Sequence, residues 1–378
     1  MSDPVSSFLF GAIVPRSVVL LPSFFSQSFL PSAFILAFLL VGIPIIGIEF
    51  DDPVGIRQFQ PTKLRPYYNY IVVGGGSAGC VVASRLSEDP NNVVLLLDAG
   101  GDGTYLSDIP GAVGVLYNNP KLDWSYKTEP ESNSCLAMEG RRCSWHRGKS
   151  IGGTSTINGM LYVRGSKEDY DEWARLGNTG WAYEDVLPFF TMSEGISINA
   201  YSHWIGLIKL ETQHILNEIL HCIIADNKNK GYVRNSRYHS TGGLLTVSDI
   251  DYKTPLADAF LEAARGLGYE IGDVNAETSY RFTNMQATIK DGKRVSTAKA
   301  FLRPALTRHN LDVLLQSHVI KVLINSRGRC NGVVFHRNGK AFVAKVTGEV
   351  ILSAGAIGSP QILMHSGIGP ANHLKRKD

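Results

Sequence analysis

A chain containing Tyr70-Ile71-Val72-Val73-Gly74-Gly75-Gly76-Ser77-Ala78-Gly79 has few folds open to it, because an apolar strand breaks on glycine and restarts as a helix. Gly74 permits the tight turn, Gly76 lets backbone approach a pyrophosphate, and Gly79 lets helix and strand pack closely. The helix N-terminus at Ser77 and Ala78 then offers oriented N–H groups, so phosphate needs no side chain. A second apolar strand, Val93 to Leu97, ends in Asp98, whose carboxylate can accept hydrogen bonds from ribose hydroxyls. Strand, turn, helix, second strand and terminal acid together predict a dinucleotide-binding βαβ unit.

At 378 residues the chain can bury a full core and is expected to hold two domains. Lys plus Arg number 37 against 34 for Asp plus Glu, and the basic residues are scattered, so no stripe tracks a phosphate backbone and no nucleic-acid partner is expected. None of the five cysteines forms a CxxC pair. Cys143 and His146 could begin a metal site, yet no second pair follows at ligand spacing, and no metal is expected. Cys135 and Cys143 flank a short polar loop containing Gly140, so a disulfide is open to them in an oxidising compartment, while Cys80 reads as a small packed hydrophobe. Ala33 to Ile48 is a charge-free apolar run interrupted by Pro44. It is short for a spanning helix and reads as a secretory h-region or signal anchor. The expectation is a secreted or membrane-anchored extracellular protein, with residues 33–48 as its route to a membrane. The competing reading is a buried segment, since no Lys-rich stretch precedes it and no N-x-Ser/Thr sequon occurs.

The pattern runs strand, helix to about Glu88, strand to Leu97, then a long loop through Gly100, Gly101, Gly103 and Pro110. Asp123 to Gly165 has little periodicity and predicts an extended functional loop. Glu168 to Phe190 looks helical, with Pro188 interrupting its second helix. Tyr252 to Leu267 predicts an amphipathic helix closed by Gly268, and Ser296 to Leu302 another that stops at Pro304. Leu311 to Leu315, Val319 to Ile324, Gly332 to Phe335, Phe342 to Val346 and Glu349 to Leu352 predict a hairpin-rich insertion returning to a parallel sheet. Gly195 to Lys230 reads as foreign. It has no clear period, and its histidines, His203, His214 and His221, do not share a helical face.

Two further glycine-rich turns follow. Arg147 to Gly159 (RGKSIGGTSTING) permits near approach of backbone to a planar ligand, with Asn158 and several hydroxyls as neutral partners. Val350 to Pro360 predicts a strand, a small-residue turn and a helix start. Together with Gly74 to Gly79, and with Gly355 to Gly369 (GAIGSPQILMHSGIG), these segments resemble three signatures of the glucose–methanol–choline (GMC) oxidoreductases, in order. Leu122 to Pro130, Asn158 to Asn178 and Ser240 to Ser248 look like its insect glucose dehydrogenase (FAD, quinone) branch. The resemblance covers Tyr68 to about Glu194 and Tyr238 to Leu374.

It implies an α/β chain, α+β overall: a Rossmann-like FAD-binding domain with a parallel sheet, and an incomplete substrate domain with an antiparallel sheet. The expected parts are residues 1–67 as an N-terminal extension, 68–165 as the first FAD-binding part, 166–300 as a partial substrate domain containing the atypical 195–230, and 301–378 as the second FAD-binding part. Gly74, Gly76, Ser77, Ala78 and Gly79 would then meet the pyrophosphate. Asp98 would meet the adenosine ribose in place of the usual Glu, and Val319 the adenine. Arg147, Gly148, Gly152, Gly153, Thr154, Ser155, Asn158 and Gly159 would wrap the flavin, and Ala354 and Gly355 would approach it from the third turn. Family members that link FAD covalently carry a His where this chain has Ile157, which has no nucleophile, so the FAD should be non-covalent.

The family oxidises an alcohol while a base, suited to His, takes the hydroxyl proton. That His belongs to a C-terminal region the sequence does not reach, so no catalytic residue is assigned, and His239, His365 and His373 read as surface or packed residues. The expected substrate is a small alcohol, sugar or steroid, and the acceptor a quinone-type molecule or oxygen. The chain reads as the FAD-binding portion of such an enzyme, a fragment or the product of a gene-model artefact. The alternatives are a truncated, non-catalytic FAD-binding protein, and an NAD-dependent Rossmann dehydrogenase, for which the flavin-wrapping loop and the distant third turn would be superfluous.

Overall fold

In the computed structural model, which describes residues 55–196, 237–250 and 253–376, the first strand is buried on both sides. Strand β1 (Tyr68–Val73) turns at Gly74 into helix α1 (Ser77–Leu86), which returns to strand β2 (Val94–Leu97). Ile71, Val73, Leu95 and Leu97 enter one apolar cluster, while Val72, Val94 and Leu96 enter the other. Successive side chains point to opposite faces, so covering both faces requires an unbroken apolar run. The runs at 70–73 and 93–97 are that requirement written in sequence.

A two-stranded ribbon, β3 (Tyr126–Lys127) with β4 (Ser144–Trp145), follows within the long loop. Cys135 and Cys143 are joined in a disulfide. Helices α2 (Lys167–Arg175) and α3 (Tyr183–Ser193) come next. Ser166 and Asp169 form a capping box that starts α2. Helix α3 runs through Pro188 rather than breaking there. The ring removes only the N–H that would have reached the Glu184 carbonyl, and the flanking turns persist. A small sheet joins β5 (Glu194–Ile196), β6 (Leu245–Asp249) and, beyond helix α4 (Pro255–Gly266), β7 (Gln286–Ala287). Its β5–β6 pair is parallel and its β6–β7 pair antiparallel, so this sheet is mixed where an antiparallel one is expected. Thr254 caps α4, and Pro255 occupies a first-turn position where no N–H is needed. A hairpin, β8 (Ile289–Lys290) and β9 (Lys293–Arg294), precedes a π-helical turn at Ala298–Leu302 that continues through Pro304 as Arg303–Ala305.

Strands β10 (Leu311–Leu314), β11 (His318–Ile324), β12 (Cys330–Arg337) and β13 (Lys340–Leu352) complete the main sheet, and helix α5 (Gly355–His365) leaves it. Its order is β10-β2-β1-β13-β12-β11, parallel from β10 to β13 and antiparallel from β13 to β11. The segments Phe342 to Val346 and Glu349 to Leu352 are therefore one strand, not two. Its first half pairs with β12 and its second with β1, and Gly348 marks a close approach to the Asn69 backbone instead of a turn.

Among the described residues no helix is long and apolar enough to cross a membrane. Residues 33–48, and Gly195 to Lys230 beyond its first two residues, lie outside the described residues.

Candidate functional site

All three glycine bends meet at the carboxyl ends of β1, β2 and β13, the edge of an open α/β sheet where ligands bind. Gly74 has φ +95°, and a Cβ there would lie 2.7 Å from the Ala354 Cα and from the Ser353 carbonyl oxygen, so the first bend rests directly on the third. A Cβ on Gly79 would collide with the Gly74 carbonyl, which is how helix α1 comes so close to the turn. The second bend reaches the first through Gly152, whose N–H donates to the Gly75 carbonyl at 2.7 Å. At Gly153, φ +55°, a Cβ would stand 2.6 Å from the Gly76 Cα. Backbone touches backbone at each junction because no side chain intervenes.

The bends enclose a cleft of about 430 Å³, within the roughly 300–1,000 Å³ typical of small-molecule sites. Two helices begin on its wall. Gly76 is the N-cap of α1 and Ala354 that of α5, and neither supplies a side-chain hydrogen bond. Their first N–H groups are thus left to a ligand, and the helix dipoles favour a negative one. Gly74, Gly76, Ser77, Ala78, Asp98 and Val319 line the cleft, as do Arg147, Gly148, Gly153, Thr154, Ala354 and Gly355. Gly79 lies behind the first turn. Gly152, Ser155, Asn158 and Gly159 are outside the lining, and the Asn158 N–H donates to the Thr154 carbonyl one turn further along the loop.

Asp98 is where the spacing puts it, but its carboxylate is already engaged. Oδ2 accepts from the Gly75 N–H at 2.8 Å and Oδ1 from the Gly100 N–H at 2.7 Å. Burial raises its pKa, and those two donors oppose the rise. The residue thus braces the first turn as well as facing the cleft. Cys80 is fully buried behind the turn, with its thiol pushed up to about 12 by burial and then by Asp98, so it is a packed thiol.

Several contributors take a role that the sequence does not reveal. Asp123, 2% exposed, accepts from the N–H groups of Asn118, Ser125 and Arg147, and from His146 Nδ1 at 2.6 Å. Burial alone would raise its pKa, but these donors outweigh it and hold the carboxyl at about 2. His146 stacks on Tyr117 with ring centroids 4.4 Å apart. This clamp fixes the chain just before Arg147. Trp124 and Tyr126, stacked at 5.8 Å, form an aromatic wall of the cleft, with His318 tilted against Trp124. The segment Leu122 to Pro130 is visible as a motif, but what it faces depends on β11, far along the chain.

Of the remaining histidines, His365 and His373 are exposed, and His239 is half-buried with its side chain only 2% exposed. His239 sits between Glu194 at 3.0 Å and Asp273 at 2.5 Å, and Glu194 also pairs with buried Arg164 at 2.9 Å. Burial works against the charged imidazole, but Asp273 and Glu194 raise its pKa to about 9. This network ties β5 to the segments leading into β6 and following α4, away from the cleft.

The family model described as GMC oxidoreductase matches residues 68–377. Glucose dehydrogenase [FAD, quinone] of Drosophila melanogaster is 42% identical over 332 residues, 87% of this chain and 48% of that protein. Mitochondrial choline dehydrogenase of Homo sapiens is 38% identical over 324 residues, 83% of this chain and 48% of that one. Among solved structures, pyridoxine 4-oxidase from Mesorbium loti superposes with a TM-score of 0.65 at 30% identity, covering 82% of this chain and 53% of its own. An FAD-dependent oxidoreductase from Chaetomium thermophilum gives 0.67 at 26% identity, covering 82% and 49%. The chain spans about half the length of the curated relatives it matches.

Proposed function

The chain belongs to the GMC oxidoreductase family, and from that premise we propose that it forms the FAD-binding part of an enzyme oxidising a CH–OH group. The observation that carries the reading is the meeting of three glycine bends at one cleft, with two uncapped helix N-termini in its wall. FAD has the matching chemistry: a pyrophosphate for the N–H groups, a ribose for a carboxylate, and a flat ring for a loop without side chains in the way.

In this reading Gly74, Gly76, Ser77, Ala78 and Gly79 form the pyrophosphate turn, and Asp98 takes the ribose with the lone pairs left over from Gly75 and Gly100. Val319 packs at the adenine. Arg147, Gly148, Gly152, Gly153, Thr154, Ser155, Asn158 and Gly159 follow the flavin, opposite Ala354 and Gly355. Trp124 and Tyr126 exclude water from that side. When bound, FAD supplies the acceptor for a hydride from the alcohol carbon. Ile157, buried with Leu116 and Leu122, offers no nucleophile, which supports non-covalent binding.

The relatives named for glucose, choline and pyridoxine favour a small alcohol or sugar as substrate, and their names give a steroid no support; the acceptor is a quinone-type molecule or oxygen. The Cys135–Cys143 disulfide supports a secreted or membrane-anchored extracellular location, because such bonds persist in oxidising compartments.

The test is direct. Purified chain mixed with FAD and passed through a sizing column should retain a yellow flavin chromophore, released intact on denaturation. Retention of NAD in preference to FAD would refute the reading. Anaerobic bleaching of that chromophore by an alcohol panel then reports whether this chain turns over by itself.

A further inference from the structure

Beneath the second bend lies a positive charge that no carboxylate pairs with among the described residues. Arg294, at the end of β9, is 1% exposed. Its Nε donates to the Ser107 carbonyl at 2.7 Å. Its Nη1 donates to the carbonyls of Ser155 at 3.2 Å and Asn158 at 2.7 Å, and to Asn158 Oδ1 at 2.7 Å. Nη2 is buried with no hydrogen-bond partner. Among the described residues no carboxylate forms an ion pair with Arg294. Asp108, the acid that acts on it through space, is itself paired with Lys299. A buried guanidinium stays charged, and holding it on carbonyl groups alone is expensive. Such local conflicts concentrate where a site needs them.

The arrangement also decides which way the Asn158 amide points. Arginine has only donors, and the other partner of Oδ1 is the Met160 N–H at 3.2 Å, also a donor. The oxygen is therefore held by the protein, and Nδ2, which has no partner among the described residues, is left as a free donor on the loop.

We propose that Arg294 is a positioning residue for the cofactor: it locks Asn158 so that Nδ2 donates to an acceptor atom of the flavin ring, and it lends the 155–158 bend a positive potential. The inference rests on the reading of the cleft as an FAD site.

Asn158→Asp separates the roles. The aspartate keeps acceptors for Arg294 and Met160 and neutralises the buried cation, but it loses the donor and adds a negative charge. Its melting temperature should equal or exceed that of wild type. Its FAD dissociation constant should rise about tenfold or more, and the reduction potential of its bound flavin should fall. Arg294→Lys, which keeps the charge but cannot reach Ser107 and Asn158 together, should shift affinity and potential less, in the same direction. Wild-type affinity and potential in Asn158→Asp, or in Arg294→Lys should the first variant not fold, would overturn the assignment while FAD binding by wild type upholds the cleft. Failure of wild type to bind FAD would overturn both.

Discussion

Replacing Gly153 with alanine should weaken FAD binding by about 10- to 100-fold while the protein still folds. Gly153 has φ +55°, a left-handed conformation that costs a non-glycine residue about 1–2 kcal/mol. Its new Cβ would stand 2.6 Å from the Gly76 Cα, where contact between carbons is comfortable near 3.5–4.0 Å. The first and second bends must then part by about an ångström, an overpacking that costs roughly 1–3 kcal/mol. Gly76 is the N-cap of α1, so the shift falls on the N–H groups of Ser77 and Ala78 that face the cleft. If about half of that combined strain appears as lost affinity, the dissociation constant rises by one to two powers of ten, at about 1.4 kcal/mol each. Gly266→Ala is the control. It ends helix α4 outside the cleft lining, has no left-handed φ, and its Cβ would have nothing within 4 Å. Titration of apoprotein with FAD, followed by quenching of flavin fluorescence, measures both. Gly153→Ala binding within about twofold of Gly266→Ala would refute the idea that the two bends must touch.

Three further outcomes follow from the geometry. Asp98→Asn supplies one oxygen for the two N–H groups of Gly75 and Gly100, so urea unfolding should show a loss of about 1–3 kcal/mol; an unchanged midpoint would contradict the bracing role. His239 has its folded pKa raised to about 9 from 6.5, so its stabilisation, about 3 kcal/mol, is fully present below pH 6.5 and is lost as pH rises through 9. Melting temperatures of wild type should therefore decline between pH 7 and 10, and this component of the decline should vanish in His239→Gln. Cys143→Ser opens a ring closed across a sequence separation of 8 and should reduce stability by about 2.5 kcal/mol; equal chemical stability of the variant and the oxidised wild type would count against it.

What could be read in the chain and what could not divide along the range of the interactions. The βαβ opening is legible because Gly74, Gly76 and Gly79 answer local constraints, and because strands buried on both faces must be apolar throughout. The convergence of the three bends was implied by motif order, yet its cause, Gly74 against Ala354 and Gly153 against Gly76, lies in pairings between distant segments. Asp98 was placed by spacing, but its bonds to Gly75 and Gly100 depend on how two turns fold over it. Gly348 reads as punctuation in a sequence, whereas β13 passes straight through it. Pro188 likewise sits inside α3, because propensity yields to packing. The roles of Arg294 and Asp123 were invisible. Their partners, Ser107 and Asn158 for one and His146 for the other, are set by tertiary structure, and the motif around Asp123 says nothing of what its carboxylate binds.

The central claim is that backbone from three separated bends closes on one FAD molecule. Amide hydrogen exchange of the full chain, with and without saturating FAD, tests it most directly. The account predicts added protection, at one FAD per chain, in residues 74–79, 147–159 and 353–358 together. Protection confined to 74–79, with the other two segments exchanging as in the apoprotein, would contradict it.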